Sequence, residues 1–167
     1  MHMVIYALVE VSTRDDAVAT GKAVFDRLVG ADPHADAVFD YYVTFDQEDT
    51  TVARKARWGD LPVAAHVDSE GGQKLLERGW DATKNEFQRS LNRVREALDE
   101  LSDEEIMRDE DLARHAFDQV GASDGPSIFL YDEHGCGIRH REQLDRIVDE
   151  SDDESDDLWI VPADVHF

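Results

Sequence analysis

The stretch TVARKARWGDLPVAAHVDSEGGQKLLERGWDATKNEFQRSLNRVREAL, Thr51 to Leu98, reads as a basic loop, a short strand and one long helix. Its helical half is the clearest signal in the chain. Leu76, Trp80, Thr83, Phe87, Leu91, Val94, Leu98 and Leu101 follow one another at steps of three or four, which lines one side of an α-helix almost without drift. From Gln73 to Leu101 such a helix spans roughly 43 Å, more than one small sheet can cover. Part of the stripe is therefore expected to need a second cover, either Ile106 to Val120 or another copy of the chain. Lys74, Arg78, Arg89 and Arg93 fall on the opposite side with Glu86 and Glu96, where weak (i, i+3) ion pairs account for them without a ligand.

Charge is unevenly allocated around this stretch. Between Val52 and Leu98, nine Lys or Arg stand against seven Asp or Glu, a net +2 in a chain of 167 residues whose formal charge is −22, so the remainder carries −24. That contrast is a lead toward a ligand or partner. Asp outnumbers Glu by 25 to 14 and Arg outnumbers Lys by 13 to 4, while a hydrophobic content of 41% is too high for a disordered acidic tail. The balance resembles that of proteins from extremely halophilic archaea. A carboxylate-dense surface stays hydrated in molar salt, where the Debye length shrinks to ~3 Å and self-repulsion is screened. The same charge repels polyanions and disfavours a nucleic-acid role.

Outward from the long helix, the chain reads as one domain over residues 1–167. His2 to Val11 (HMVIYALVEV) is apolar on both alternating sets, the pattern of an interior strand. Ser12 or Thr13, each with an acid three positions on, caps a helix with Ala17, Gly21, Phe25 and Leu28 inward, ending at Gly30. Ala37 to Asp46 alternates as a strand with one wet side, which favours antiparallel pairing, and Leu61 to Val67 resumes the sheet. Ser102 and Glu105 form a capping-box pattern that restarts the chain toward Val120, with Leu112, Ala116, Phe117 and Val120 inward. Ser127 to Tyr131 is a strand, and Arg139 or His140 to Asp149 a helix with Leu144, Ile147 and Val148 inward. Residues 150–157 (ESDDESDD) form an acidic surface loop, and Leu158 to Val161 is a last strand ended by Pro162. The predicted class is α+β. It has a mainly antiparallel, four- to five-stranded sheet of ferredoxin-like character, with the long helix and two to three shorter helices packed on one face. The β-α-β opening allows a mixed or parallel sheet instead.

Cys136 is the single cysteine, which excludes an internal disulfide and fits a reducing cytoplasm. The apolar run Met3 to Val9 is stopped by Glu10, far short of the ~20 residues a membrane span needs. Two places carry candidate chemistry. In the first, Arg54, Lys55, Arg57 and Trp58 crowd five positions, offering cations and a stacking face to a small anion. In the second, DEHGCGIRHR (132–141), two glycines free backbone N–H groups near a helix start while Arg139 and Arg141 add charge. The two loops form a basic cleft if they converge. Cys136 beside His134 and His140 is also a candidate thiol nucleophile. His134, Cys136 and His140, joined by Asp164 and His166, have the donor types of a zinc site but match no strong ligand spacing. Asp-Glu-His-Gly is equally good tight-turn chemistry, with Gly135 at positive φ and Cys136 a half-buried filler.

No phosphate-binding, dinucleotide, zinc-protease or serine-hydrolase motif occurs, so no cofactor is predicted and catalysis is neither required nor excluded. The leading expectation is a salt-adapted, non-catalytic module that self-associates or binds a partner through the Leu76 to Leu101 helix. The alternatives are a small phosphate- or carboxylate-bearing ligand at Arg54, Arg57, Trp58, Arg139 and Arg141, and a Cys/His metal or thiol site. The charge balance makes one direct prediction: the melting temperature rises steeply between dilute buffer and molar KCl, and a flat thermal-denaturation series across that range would contradict it.

Overall fold

A computed structural model describes residues 1–30, 37–46, 57–108, 117–118, 120–122, 125–151 and 157–167. Strand β1 (His2–Val11) is buried from Met3 to Val9, as a run apolar on both faces requires. Four further strands are described: β2 (Tyr41–Thr44), β3 (Ala65–His66), β4 (Leu130–Tyr131) and β5 (Asp157–His166). β1 pairs with β5 antiparallel along its whole length, from His2 opposite His166 to Val11 opposite Asp157. On its other side it pairs with β4 in parallel, Tyr6 opposite Leu130. The order is β2-β5-β1-β4, with β3 also on β5. β2 and β3 lie antiparallel to β5, one beyond the other along it.

The fold is therefore α+β with a five-stranded mixed sheet, and this corrects the mainly antiparallel, ferredoxin-like expectation. Two physical reasons account for the difference. The chain between β3 and β4 includes the long helix, a crossover that returns it to the sheet in the direction of β1. In addition, the first and last strands form the centre of the sheet, so both faces of β1 need cover. Helices consequently pack on both faces rather than one. Helix α1 (Arg14–Leu28) buries Ala17, Val24, Phe25 and Leu28 with Met3, Ile5, Ala7 and Val9. On the opposite face, α2 (Glu70–Glu100) and the later helix over Arg141–Ser151 bury Leu75, Leu76 and Leu144 with Val4, Tyr6 and Leu8. Each fully buried Val, Leu, Ile or Phe contributes about 1.5–3 kcal/mol, so the two clusters together dominate stability.

Local signals set the helix ends. Thr13 caps α1 by accepting from Asp16 N at 3.2 Å, and the chain turns away at Gly30, whose φ is +69°. Ser69 caps α2 by accepting from Gly72 N at 3.0 Å. The capping box forms as expected: Ser102 N donates to Glu105 Oε2 at 2.9 Å and opens α3 (Asp103–Arg108). The remaining helix, Arg141–Ser151, is α4.

The buried side of α2 is rotated from the apolar stripe. Gly72, Leu75, Leu76, Gly79, Thr83, Ser90, Val94 and Ala97 are buried, whereas Phe87 is 40% and Leu98 56% exposed. The cause is backbone approach. A Cβ on Gly79 would lie 2.8 Å from Leu130 Cδ2 and 2.9 Å from Tyr6 Cδ2, so the helix meets the sheet along its small residues and tips its large ones outward. Pro162, expected to end the last strand, instead lies within β5 opposite Tyr6. The other neighbour of β5 changes there from β3, which pairs as far as Ile160, to β2, which begins at Ala163, so an absent N–H is tolerated.

Adjacent glycines at the start of α2 provide a test of this packing. A Cβ on Gly72 would sit 2.0 Å from the His66 carbonyl oxygen, whereas one on Gly71 would meet nothing closer than Ser69 Oγ at 3.8 Å. Gly72→Ala is expected to cost about 3 kcal/mol or more. Gly71→Ala is expected to be neutral or stabilising by up to about 1 kcal/mol, both read from chemical denaturation at constant KCl.

Candidate functional site

Thr83, buried in mid-α2, accepts a hydrogen bond from Phe129 N at 3.0 Å and so ties the helix to the approach to β4. Beyond that tie the two elements diverge, because α2 continues for four turns and β4 is two residues long. The opening is a cavity of about 260 Å³. Trp80 and Phe87 of α2 form one wall and Ala122, Ser127 and Ile128 the other, with Lys84, Arg139 and His140 adding the charged or titratable groups. A largely apolar concavity with a few convergent polar groups is the usual form of a small-molecule site.

Each wall is held from behind. Arg139 donates to the carbonyl of Val120 at 2.7 Å and to that of Gly121 at 3.1 Å. Gly125, at φ +89°, donates its N–H to the buried Tyr131 hydroxyl at 3.2 Å, which anchors the turn before Ser127. Arg141 lies with its guanidinium carbon 6.0 Å from the Trp80 ring centre and pairs with Asp145 at 2.7 Å and Glu77 at 3.2 Å. Those carboxylates, Asp145 first through its hydrogen bond, hold the guanidinium more basic than an ordinary arginine.

Of the residues singled out in the sequence, Arg139 and His140 line this cavity and Arg141 supports Trp80 from outside it. Arg54 and Lys55 lie outside the described residues. Arg57 is exposed, and Trp58 packs half-buried on the α2-side core with its Nε1 buried and unpartnered. The cavity that Arg139 and His140 line is not lined by Arg57 or Trp58.

The 132–137 turn takes the tight form that its composition allows. Asp132 Oδ1 accepts from His134 N at 3.0 Å and Cys136 N at 2.8 Å, and Gly135 stands at φ +81°. The backbone N–H groups that an anion would need are therefore directed at the turn's own carboxylate. Cys136 is exposed rather than half-buried, and His134 is exposed with Nε2 3.5 Å from Glu133. This turn borders Leu8, Glu10 and Leu158, whereas Asp164 and His166 lie opposite Val4 and His2 at the far end of β1. At ~3.3 Å per residue, the four to six positions between Leu8 and Val4 or His2 separate the turn from Asp164 and His166 by roughly 13 to 20 Å. Among the described residues, no three His, Cys, Asp or Glu side chains are grouped to hold a metal.

The family described as Domain of unknown function (DUF7995) matches residues 1–167. The chain belongs to this family. No curated protein and no solved structure matches it. Lys84 was passed over in the sequence, although its place one helical turn after Trp80 and three residues before Phe87 puts all three on one side of α2. Ser127 and Ile128 carried no such signal, because their distance from α2 is set only by the tertiary fold. No described helix is long and apolar enough to cross a membrane.

The role of Arg139 behind the cavity wall is testable. Arg139→Ala removes two charge-assisted bonds to carbonyls and is expected to cost about 2 kcal/mol, with Arg139→Lys recovering part of the loss, as read by thermal denaturation in molar KCl.

Proposed function

We propose that this domain binds a small anion with an apolar body in the cavity between α2 and the segment leading into β4. The observation that carries the reading is the composition of the cavity. Aromatic walls from Trp80 and Phe87 and an aliphatic one from Ile128 stand beside the cations of Lys84 and Arg139. An aryl or short aliphatic carboxylate or phosphate matches that division, its apolar part against the rings and its charge toward Lys84. Arg139 spends two of its donors on carbonyls and retains others for a ligand. In a salt-adapted protein the long-range repulsion of a small anion by the acidic surface is screened, so only the local cations count.

A thermal-shift screen of aromatic and aliphatic carboxylates and phosphate esters in molar KCl tests this directly. At a concentration one hundred times Kd a ligand stabilises by about 2.7 kcal/mol, a shift of several degrees. Lys84→Glu is expected to abolish that shift without lowering the ligand-free melting temperature. Absence of any hit, or a hit indifferent to Lys84→Glu, would overturn the reading.

A second reading is self-association through α2, favoured by a different observation. Trp80 and Leu91 are only half-buried and Phe87 and Leu98 are exposed, forming an apolar line along the helix beside its buried side. A second copy of the same line is its simplest cover. Light scattering in molar KCl separates the two: a dimer lost on Leu98→Glu supports self-association, and a monomer at all accessible concentrations removes it.

A further inference from the structure

At the end of the sheet away from the 132–137 turn, three strands bring polar side chains onto the α2 face. His2 stands opposite His166, Tyr41 stands opposite His166 on its other side, and Asp164 stands opposite Val4, one alternation along. Val4, Tyr6 and Leu8 show that this set of positions on β1 faces the α2-side core, which gives the orientation of the group. Asp164 is 1% exposed. Its Oδ1 lies 3.1 Å from His2 Nδ1, and its Oδ2 is buried without a partner. The other nitrogen of the same ring, His2 Nε2, lies 3.4 Å from the Tyr41 hydroxyl. Tyr41 is 41% exposed and stacks on His166, whose Nδ1 lies 2.7 Å from Asp40 Oδ2.

A carboxylate buried this deeply with one oxygen unsatisfied is costly for folding alone, and an apolar residue at that position would be cheaper. Its placement has chemical content. A carboxylate on Nδ1 selects the imidazole tautomer whose Nε2 lone pair is free, and that lone pair faces a hydroxyl reachable from solvent. Orienting carboxylate, general base and hydroxyl in sequence is the arrangement by which a weak nucleophile is activated, with the base-to-hydroxyl distance commonly long before a substrate binds.

We propose that Tyr41, His2 and Asp164 form an acyl-transfer site in which Tyr41 is the nucleophile, His2 the general base and Asp164 a positioning residue. The Tyr41 oxygen forms a bond to the carbonyl carbon of an ester while the phenolic proton passes to His2 Nε2. Asp164 holds Nδ1–H and balances the imidazolium. Collapse of the tetrahedral adduct breaks the bond to the leaving alkoxide, which takes the proton from His2. An acyl-tyrosine remains, and water attacks it by the same route in reverse roles. The substrate class is a neutral acyl ester, because Asp40 and Asp164 beside the site repel a phosphoryl group.

The test uses 4-nitrophenyl acetate on the full chain in molar KCl, with nitrophenolate release followed optically and the acetyl group located by mass spectrometry. Acetylation of Tyr41 is expected to be at least tenfold faster than that of N-acetyltyrosinamide under the same conditions. His2→Gln and Asp164→Asn are each expected to reduce it at least tenfold while acetylation of the exposed Lys84 is unchanged, a separation that a merely structural role would not produce. Should Asp164→Asn fail to fold, the comparison with the free amide and with His2→Gln still decides. A Tyr41 rate equal to that of the free amide, or one unaffected by His2→Gln, would overturn the proposal.

Discussion

The pairing of β1 with β5 is the constraint on which the rest of the molecule depends. The first and last strands of the chain run antiparallel over ten residue pairs and occupy the two inner places of the sheet. A strand so placed has no wet side. Its alternating side chains must be covered twice, which is why α1 and α2 settle on opposite faces and why the core divides into two clusters that share only the sheet between them. Closure by the final strand also makes this a topology of long sequence separations. His2 meets His166 and Val11 meets Asp157, so the whole central ladder forms only when both of these strands are in place.

From that spine the position of the cavity follows. α2 lies close against the central strands at Gly79, where the missing side chain admits Tyr6 and Leu130. Having touched there, a helix of 31 residues necessarily outruns a sheet edge made by a strand of two. The space beyond Thr83 is thus a geometric result of a long helix crossing a narrow edge. Residues 120–122 and 125–128, pinned by Arg139 and Tyr131, turn that overhang into a walled concavity.

The parts of this architecture that a reader could take from the sequence are those whose signal is local. The interior strand at His2–Val11, the Thr13 cap with Ala17, Gly21, Phe25 and Leu28 inward, and the Ser102–Glu105 box each depend on residues a few positions apart. The parallel partner of β1 was not legible, since SIFLY is apolar in a way that suits either strand direction. Nor was the true contact line of α2, because Gly79, Ser90 and Ala97 contribute little hydrophobicity yet sit where packing is tightest. Arg139 was noticed for its charge, but its work on two carbonyls 18 and 19 residues earlier belongs to tertiary structure. The group of His2, Tyr41 and Asp164 had no spacing to find: register alone assembles it, with Tyr41 39 and Asp164 162 residues from His2.

Among the described cations, those paired at the surface and those at the cavity have different settings. Lys74 with Glu70, Arg89 with Glu86 and Arg141 with Glu77 and Asp145 are surface pairs, each worth well under about 1 kcal/mol and screened further by salt. Lys84 and Arg139 differ in their setting rather than their charge, because they border a concavity walled by Trp80, Phe87 and Ile128. Arg141 connects the two populations. Its carboxylate partners lie on α2 and α4, and its guanidinium rests by the ring of Trp80, whose side chain lines the cavity.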